Sequence, residues 1–169
     1  MTKRLEAILI EVIEGRRPST WVTRARPKID RIACPWAVLR FVDPEATILY
    51  VPAERVLETA AHENAVAFDI PGAPISHEGD LCSFDTLLTR FDLLKDPGLA
   101  VLAPIVRGAD TDRHSIAPEA AGLHAISLGL AQNYKDDQAL LQQGLVIYDA
   151  LYTWATRVRG ERHDWTPGR

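Results

Sequence analysis

Apolar residues recur at helical spacing through most of this 169-residue chain and cluster at strand-like spacing only in its first half. Leu5, Ile8, Leu9, Val12 and Ile13 fall on one stripe, which predicts an amphipathic helix over residues 1–18. The next stretch, STWVTRARPKID, reads as extended, because Trp21 and Val22 are strand formers and Pro27 biases Arg26 toward β or polyproline geometry. In an extended chain Arg24, Arg26 and Lys28 line one face. CPWAVLRFVDP predicts a helix with Pro35 in its first turn and Asp43-Pro44 as its stop. Cys34 then sits at a helix start. ATILYVP, from Ala46 to Pro52, is the strongest strand signal, AERVLETAAHENA a short helix, and VAFDIPGA a second strand ending in a Pro-Gly turn.

From Ser83 onward the pattern is helical. Phe84, Leu87, Leu88 and Phe91 share a face, and Asp96-Pro97 reads as a cap with a first-turn proline, leading into GLAVLAPIVRGA. Pro104 predicts a kink or restart there. PEAAGLHAISLGLAQNY is apolar on nearly every face, the pattern of a central, buried helix. The last helix, about Asp137 to Val158, carries Leu140, Leu141, Gly144, Ile147, Tyr148, Leu151, Tyr152 and Ala155 on one stripe. No repeat or linker divides the chain. The expectation is a single domain over residues 1–169: the helix of 1–18, a body over 19–158 and a flexible tail over 159–169. Its class is α+β, predominantly helical, with a small strand-containing N-terminal half packed on a helical C-terminal half.

Composition narrows the function. At 47% hydrophobic and 25% charged the chain has the makings of an ordinary globular core. Its 19 basic and 23 acidic side chains give a net charge of −4, so nucleic acid and anionic membrane are poor general partners. Glu6, Glu11 and Glu14 interrupt the N-terminal apolar run, which argues against an export signal. No stretch approaches the roughly 18 apolar residues of a membrane span. Two cysteines in no CxxC arrangement fit a reducing compartment, hence a cytoplasmic location.

Four groups could carry chemistry. The turn-rich GAPISHEGDLCSFD supplies His77, Glu78, Asp80 and Cys82, an imidazole-plus-carboxylate set suited to Zn²⁺, Fe²⁺ or Mn²⁺, or else a loop histidine serving turn hydrogen bonds. VRGADTDRHSIAPEAAG crowds Asp110, Asp112, Arg113, His114 and Glu119 between two apolar stretches. There Asp110 and Asp112 either satisfy helix-end and loop amides or converge with His77 on a metal. Arg24, Arg26 and Lys28, with Arg31 beyond, offer guanidinium forks to a tetrahedral oxyanion, or protect an edge strand by charge. Cys34 is a candidate for redox or nucleophilic chemistry, against the alternative of a packed, inert cysteine. His124, inside an apolar helix, fits a hydrogen-bonded core histidine.

Together WVTRxRPxIDRIACPW, FDIPGA, SHEGDxCSF, IVRGADTDR and APEAAGLxAISLGL resemble the C-terminal domain of the ChrB-type chromate-resistance protein family, over roughly Trp21 to Val158. The resemblance maps the motif aspartate onto Asp30, its thiol onto Cys34, its loop histidine onto His77, and its RGADTDR segment onto Arg107, Asp110, Asp112 and Arg113. Glu78 stands where a second histidine often follows the first. What the resemblance implies is a bacterial stress-response role in chromate resistance. The residues themselves give the leading expectation of a divalent transition metal (Fe, Mn or Zn) held by His77 with one or both of Asp110 and Asp112, and with Glu78 as a further ligand candidate. Arg24, Arg26, Arg31 and Arg107 would attract an oxyanion, and the metal or Cys34 would serve its reduction or sensing. The rival expectations are a non-catalytic sensor whose N-terminal helix contacts a second copy or a protein partner, and a metal-dependent enzyme acting on an unrelated small molecule.

Overall fold

The computed structural model describes residues 9–11 and 13–162. A parallel sheet of order β2-β1-β3 is built from β1 (Thr20–Arg24), β2 (Thr47–Val51) and the two-residue β3 (Val66–Ala67). The strands alternate with α1 (Asp30–Ala37), which runs on as a π-turn through Val38–Val42, and with α2 (Val56–His62). Four further helices follow: α3 (Ser83–Arg90), α4 (Pro97–Asp110), α5 (Ala120–Asn133) and α6 (Asp137–Thr153), the last extended by a π-turn over Trp154–Val158. The architecture is α+β and predominantly helical, with the sheet in the N-terminal half.

β1 is central because it is apolar on both faces, as buried parallel strands must be. Trp21, Val22 and Thr23 are each 0% exposed. Trp21 faces the main helical core, whereas Val22 packs on the other side against Val56 of α2 and Ala67. The buried indole is satisfied by Ser19 Oγ at 2.9 Å, and Ser19 in turn donates to Asp43 at 2.6 Å. VAFDIPGA yields less strand than its pattern predicts: only Val66 and Ala67 join the sheet before Phe68 bridges to Ile75.

α1 begins earlier than Pro35 indicates, so Cys34 lies inside it rather than at its start. Pro35 cannot donate to the Arg31 carbonyl one turn back. The Tyr50 hydroxyl of β2 donates to that carbonyl instead, at 2.7 Å, so the acceptor left free by the proline is satisfied. Pro104 likewise sits within a continuous α4, where the carbonyl it leaves free belongs to exposed Ala100. Asp96 caps α4 by accepting from Leu99 N at 2.9 Å, with Pro97 following it.

α1 and α6 form the heart of the helical layer. Trp36 meets Tyr148 and Tyr152 at 5.8 Å between ring centres, and its indole N–H donates to Asp149 at 2.8 Å. α5 is not the central helix its composition suggests. It buries one narrow stripe, Ala120, Leu123, Ser127 and Ala131, and leaves Ile126 and Leu128 48% and 42% exposed, because α4 and α6 cover only that side. Of the N-terminal helix, residues 9–11, 13 and 14 are helical and Ile13 joins the core; residues 1–8 and 12 lie outside the described residues. Of the tail, residues 163–169 also lie outside them. Among the described residues no helix is long and apolar enough to cross a membrane.

Gly144 sets the approach of α6 to α1: a Cβ there would stand 2.4 Å from Ile32 Cγ2. Gly129 of α5 faces open space. Gly144→Ala should therefore destabilise the protein by about 1–3 kcal/mol despite the better helix former. Gly129→Ala should stabilise it by about 0.4–1 kcal/mol. Urea denaturation of the two variants checks this, and equal stability at position 144 would contradict the close packing.

Candidate metal centre

Ligands of open parallel sheets gather beyond the carboxyl ends of the strands, where successive connections leave to opposite sides. Here β1 sits between β2 and β3, and the groups leaving that edge converge. Arg24 ends β1, Asp30 and Arg31 begin α1, and Asp69 follows β3. Asp110 closes α4, and His77 enters from the loop before α3.

Two unusual backbone positions aim the acids. Ile29 adopts φ 41, a strained conformation for a β-branched residue. It is held there by its N–H donating to Ser127 Oγ at 3.1 Å and by its carbonyl accepting from the Tyr148 hydroxyl at 3.2 Å. The turn presents Asp30 to the N-terminus of α3, where its carboxylate accepts from Ser83 N at 2.6 Å and Phe84 N at 3.4 Å. Asp69 also takes the left-handed region, φ 53. Its carboxylate accepts from Ser83 Oγ at 2.8 Å, from Arg24 at 2.8 Å, and pairs with Arg31 Nε at 3.2 Å. His77 is flanked by two anchors: Asp69 N donates to the Ile75 carbonyl and Thr86 Oγ1 to the Ser76 carbonyl, both at 2.8 Å.

One nitrogen stands at the focus. His77 Nε2 is 3.2 Å from Asp110 Oδ2 and 3.5 Å from both Asp30 Oδ2 and Asp69 Oδ1. Asp30 is 0% exposed and Asp69 6%, while the His77 side chain is 44% exposed, so the cluster has a buried floor and an open side. Asp30 raises the His77 imidazole to about 9, against a smaller opposing effect of burial. Burial, followed by the charges of Asp30 and Asp69, raises Asp110 to about 7. Burial raises Asp30 as well. Asp110 has a further disadvantage as an anion, since it lies at a helix C-terminus, where the helix dipole opposes negative charge.

The other predicted residues are distributed elsewhere. Glu78 turns away to pair with Arg90. Asp112, 85% exposed, approaches His114 instead of His77. Arg107 Nε lies 3.7 Å from Asp85. Arg26 leaves the arginine stripe because φ 57 ends the extended run, and its guanidinium accepts no place near Arg24 but donates to the carbonyls of Ala131, Tyr134 and Lys135 at the end of α5. Arg31 does not pair with its neighbour Asp30; it reaches Asp69 and the Ala25 carbonyl. Cys34 is 0% exposed, and burial pushes its thiol well above the usual range, the reverse of what a helix start would do. Two members of the cluster, Asp30 and Asp69, are not identifiable as ligand candidates from spacing. Each stands as a lone acid inside a short motif, DRIACPW or FDIPGA.

Comparison with known proteins gives one family and one relative. A family model described as "ChrB, C-terminal domain" matches residues 21–155. A protein of Cupriavidus metallidurans, "Protein ChrB", is 38% identical over 140 residues, which is 83% of this chain and 41% of that protein. The chain thus spans about two-fifths of that relative's length. No solved structure matches.

Both raised groups bind protons more tightly when folded, so both contribute stability at low pH that disappears as pH rises. For Asp110 the loss runs from its usual 3.8 to about 7, and for His77 from its usual 6.5 to about 9. In chelator-treated protein the urea midpoint should therefore fall between pH 6.5 and 9, and His77→Gln should flatten that limb. An unchanged slope in the variant would contradict the assignment.

Proposed function

This chain belongs to the ChrB C-terminal domain family, and on that premise we propose that it is an ion-binding domain of chromate resistance, with a divalent transition metal at Asp30, Asp69, His77 and Asp110. The observation that carries this reading is the single imidazole nitrogen faced by three carboxylate oxygens at 3.2–3.5 Å. One proton on that nitrogen answers one carboxylate. A divalent cation answers all of them. Donors bound at about 2.0–2.2 Å to one ion lie roughly 3.0–3.5 Å from each other; the three carboxylate oxygens stand at that distance from Nε2, and one ligand atom from each of Asp30, Asp69 and His77 lies within 4.8 Å of the others. The donor set of one imidazole and three carboxylates favours Fe²⁺, Mn²⁺ or Zn²⁺ over thiolate-seeking ions.

Arg24 and Arg31 supply the anion side of the site. Both lean on Asp69, yet the Arg24 side chain is 38% exposed, while its buried Nε has no hydrogen-bond partner among the described residues. A tetrahedral dianion such as chromate, approaching from the open side, meets the cation and this guanidinium together. The domain's part is recognition of the oxyanion rather than its reduction by thiol. Cys34 and Cys82 are both buried, and burial raises both thiols, so neither offers a thiolate.

Zinc or manganese titration of chelator-treated protein should show binding that weakens at least tenfold at the His77 centre in His77→Ala and Asp110→Asn, with far-UV circular dichroism unchanged. Unaltered affinity in both variants would refute the metal reading. With metal bound, Arg24→Gln should weaken chromate binding by about tenfold to a hundredfold, as loss of a charged hydrogen bond does, and sulfate should compete. Chromate binding that ignores Arg24 would remove the guanidinium from recognition.

A further inference from the structure

The junction of α4 and α5 carries a second set of donors that the centre above does not use. The chain turns left-handed at Asp112, φ 55, and His114 opens a short 3-10 turn over His114–Ile116. His124 projects from α5 onto the same spot. His114 Nε2 stands 2.9 Å from His124 Nδ1 and 3.5 Å from Asp112 Oδ1, and one ligand atom from each of the three residues lies within 4.8 Å of the others. The imidazoles meet edge to face, 5.0 Å apart at 72°.

This geometry is set by backbone packing. A Cβ on Gly108 of α4 would stand 2.9 Å from Ala120 Cβ and 3.2 Å from the Arg113 carbonyl. The bare glycine lets the turn and the start of α5 close on α4, with Ala120 and Leu123 buried beneath. His114 and His124 are thereby held nitrogen to nitrogen. At this distance one ring donates its N–H to the lone pair of the other. A metal ion in place of that proton accepts a lone pair from each ring.

We propose that Asp112, His114 and His124 form a second divalent transition-metal site, distinct in chemistry from the first. Two imidazoles and one carboxylate make a nitrogen-rich set that takes borderline ions such as Zn²⁺, Ni²⁺ or Cu²⁺ and discriminates against Mg²⁺ and Ca²⁺. The Asp112 side chain is 85% exposed and that of His114 35%, so water fills the remaining positions and the ion enters directly from solvent. The bound ion ties the 3-10 turn to α5, two residues beyond Asp110. The site does not depend on the reading of the first centre.

The test is a zinc titration of the untagged, chelator-treated full chain, followed by calorimetry and by the imidazole nitrogen resonances of its histidines. Zinc should shift the His114 and His124 signals together, and millimolar Mg²⁺ should not reverse the shift. His124→Ala should remove one equivalent of bound zinc, or weaken it at least tenfold, while His77 responds as before. Asp112→Asn, on a side chain too exposed to disturb folding, should weaken the same step. The inference is overturned if the His114 and His124 resonances stay still while zinc binds elsewhere, or if His124→Ala and Asp112→Asn leave stoichiometry and affinity unchanged. Failure of the first centre alone would show as a silent His77 beside responsive His114 and His124.

Discussion

Three carboxylates gathered on one imidazole is the constraint around which the fold is arranged. At about 4 Å a pair of like charges near a protein surface repels by about 4 kcal/mol. Such a cluster persists only if other groups compensate it. Arg24 and Arg31 hold Asp69, the amides of α3 hold Asp30, and Asp110 is left with His77 and the Asp30 amide at 3.4 Å. The compensating groups arrive from the end of β1, the starts of α1 and α3, and the loop before α3. The parallel sheet serves to bring those ends to one edge.

The acids consequently do different work. Asp30 lies at a helix N-terminus, where the dipole favours a carboxylate, and Asp110 at a helix C-terminus, where it does not. Asp69 is fixed by two guanidiniums and a hydroxyl. Asp110 and His77 stand at the open side, Asp110 raised to about 7 and His77 to about 9. The floor of the cluster is fixed by its hydrogen-bond and ion-pair partners, and its rim is open to what occupies it.

Local patterns reveal what local forces decide. Asp96-Pro97 announces the start of α4 because cap and proline act within one turn, and ATILYVP announces β2 because five consecutive residues suit a pleated surface. His77 and Asp110 attract notice as ionisable residues in chemically crowded segments, though the 3.2 Å between them belongs to tertiary structure. Asp30 and Asp69 escape, since neither has an acidic or histidine neighbour at ligand spacing; their partners lie 53 and 14 residues away at Ser83. Arg26 misleads because alternation holds only while the backbone stays extended, and φ 57 breaks it. The uniform apolarity of α5 misleads for another reason. Composition records how apolar a helix is, whereas coverage depends on how many neighbours the fold can place around it.

The contact of Gly144 with Ile32 has a consequence on an evolutionary scale. Ile32 immediately follows Arg31, so the space left by the missing side chain on α6 fixes how deeply the segment bearing Asp30 and Arg31 sits. Positions 32 and 144 share one fixed volume. Among homologous chains they must drift as a pair, an alanine at 144 being tolerated where 32 has shrunk to valine or alanine. Covariation between two apolar sites would then record the upkeep of a polar one.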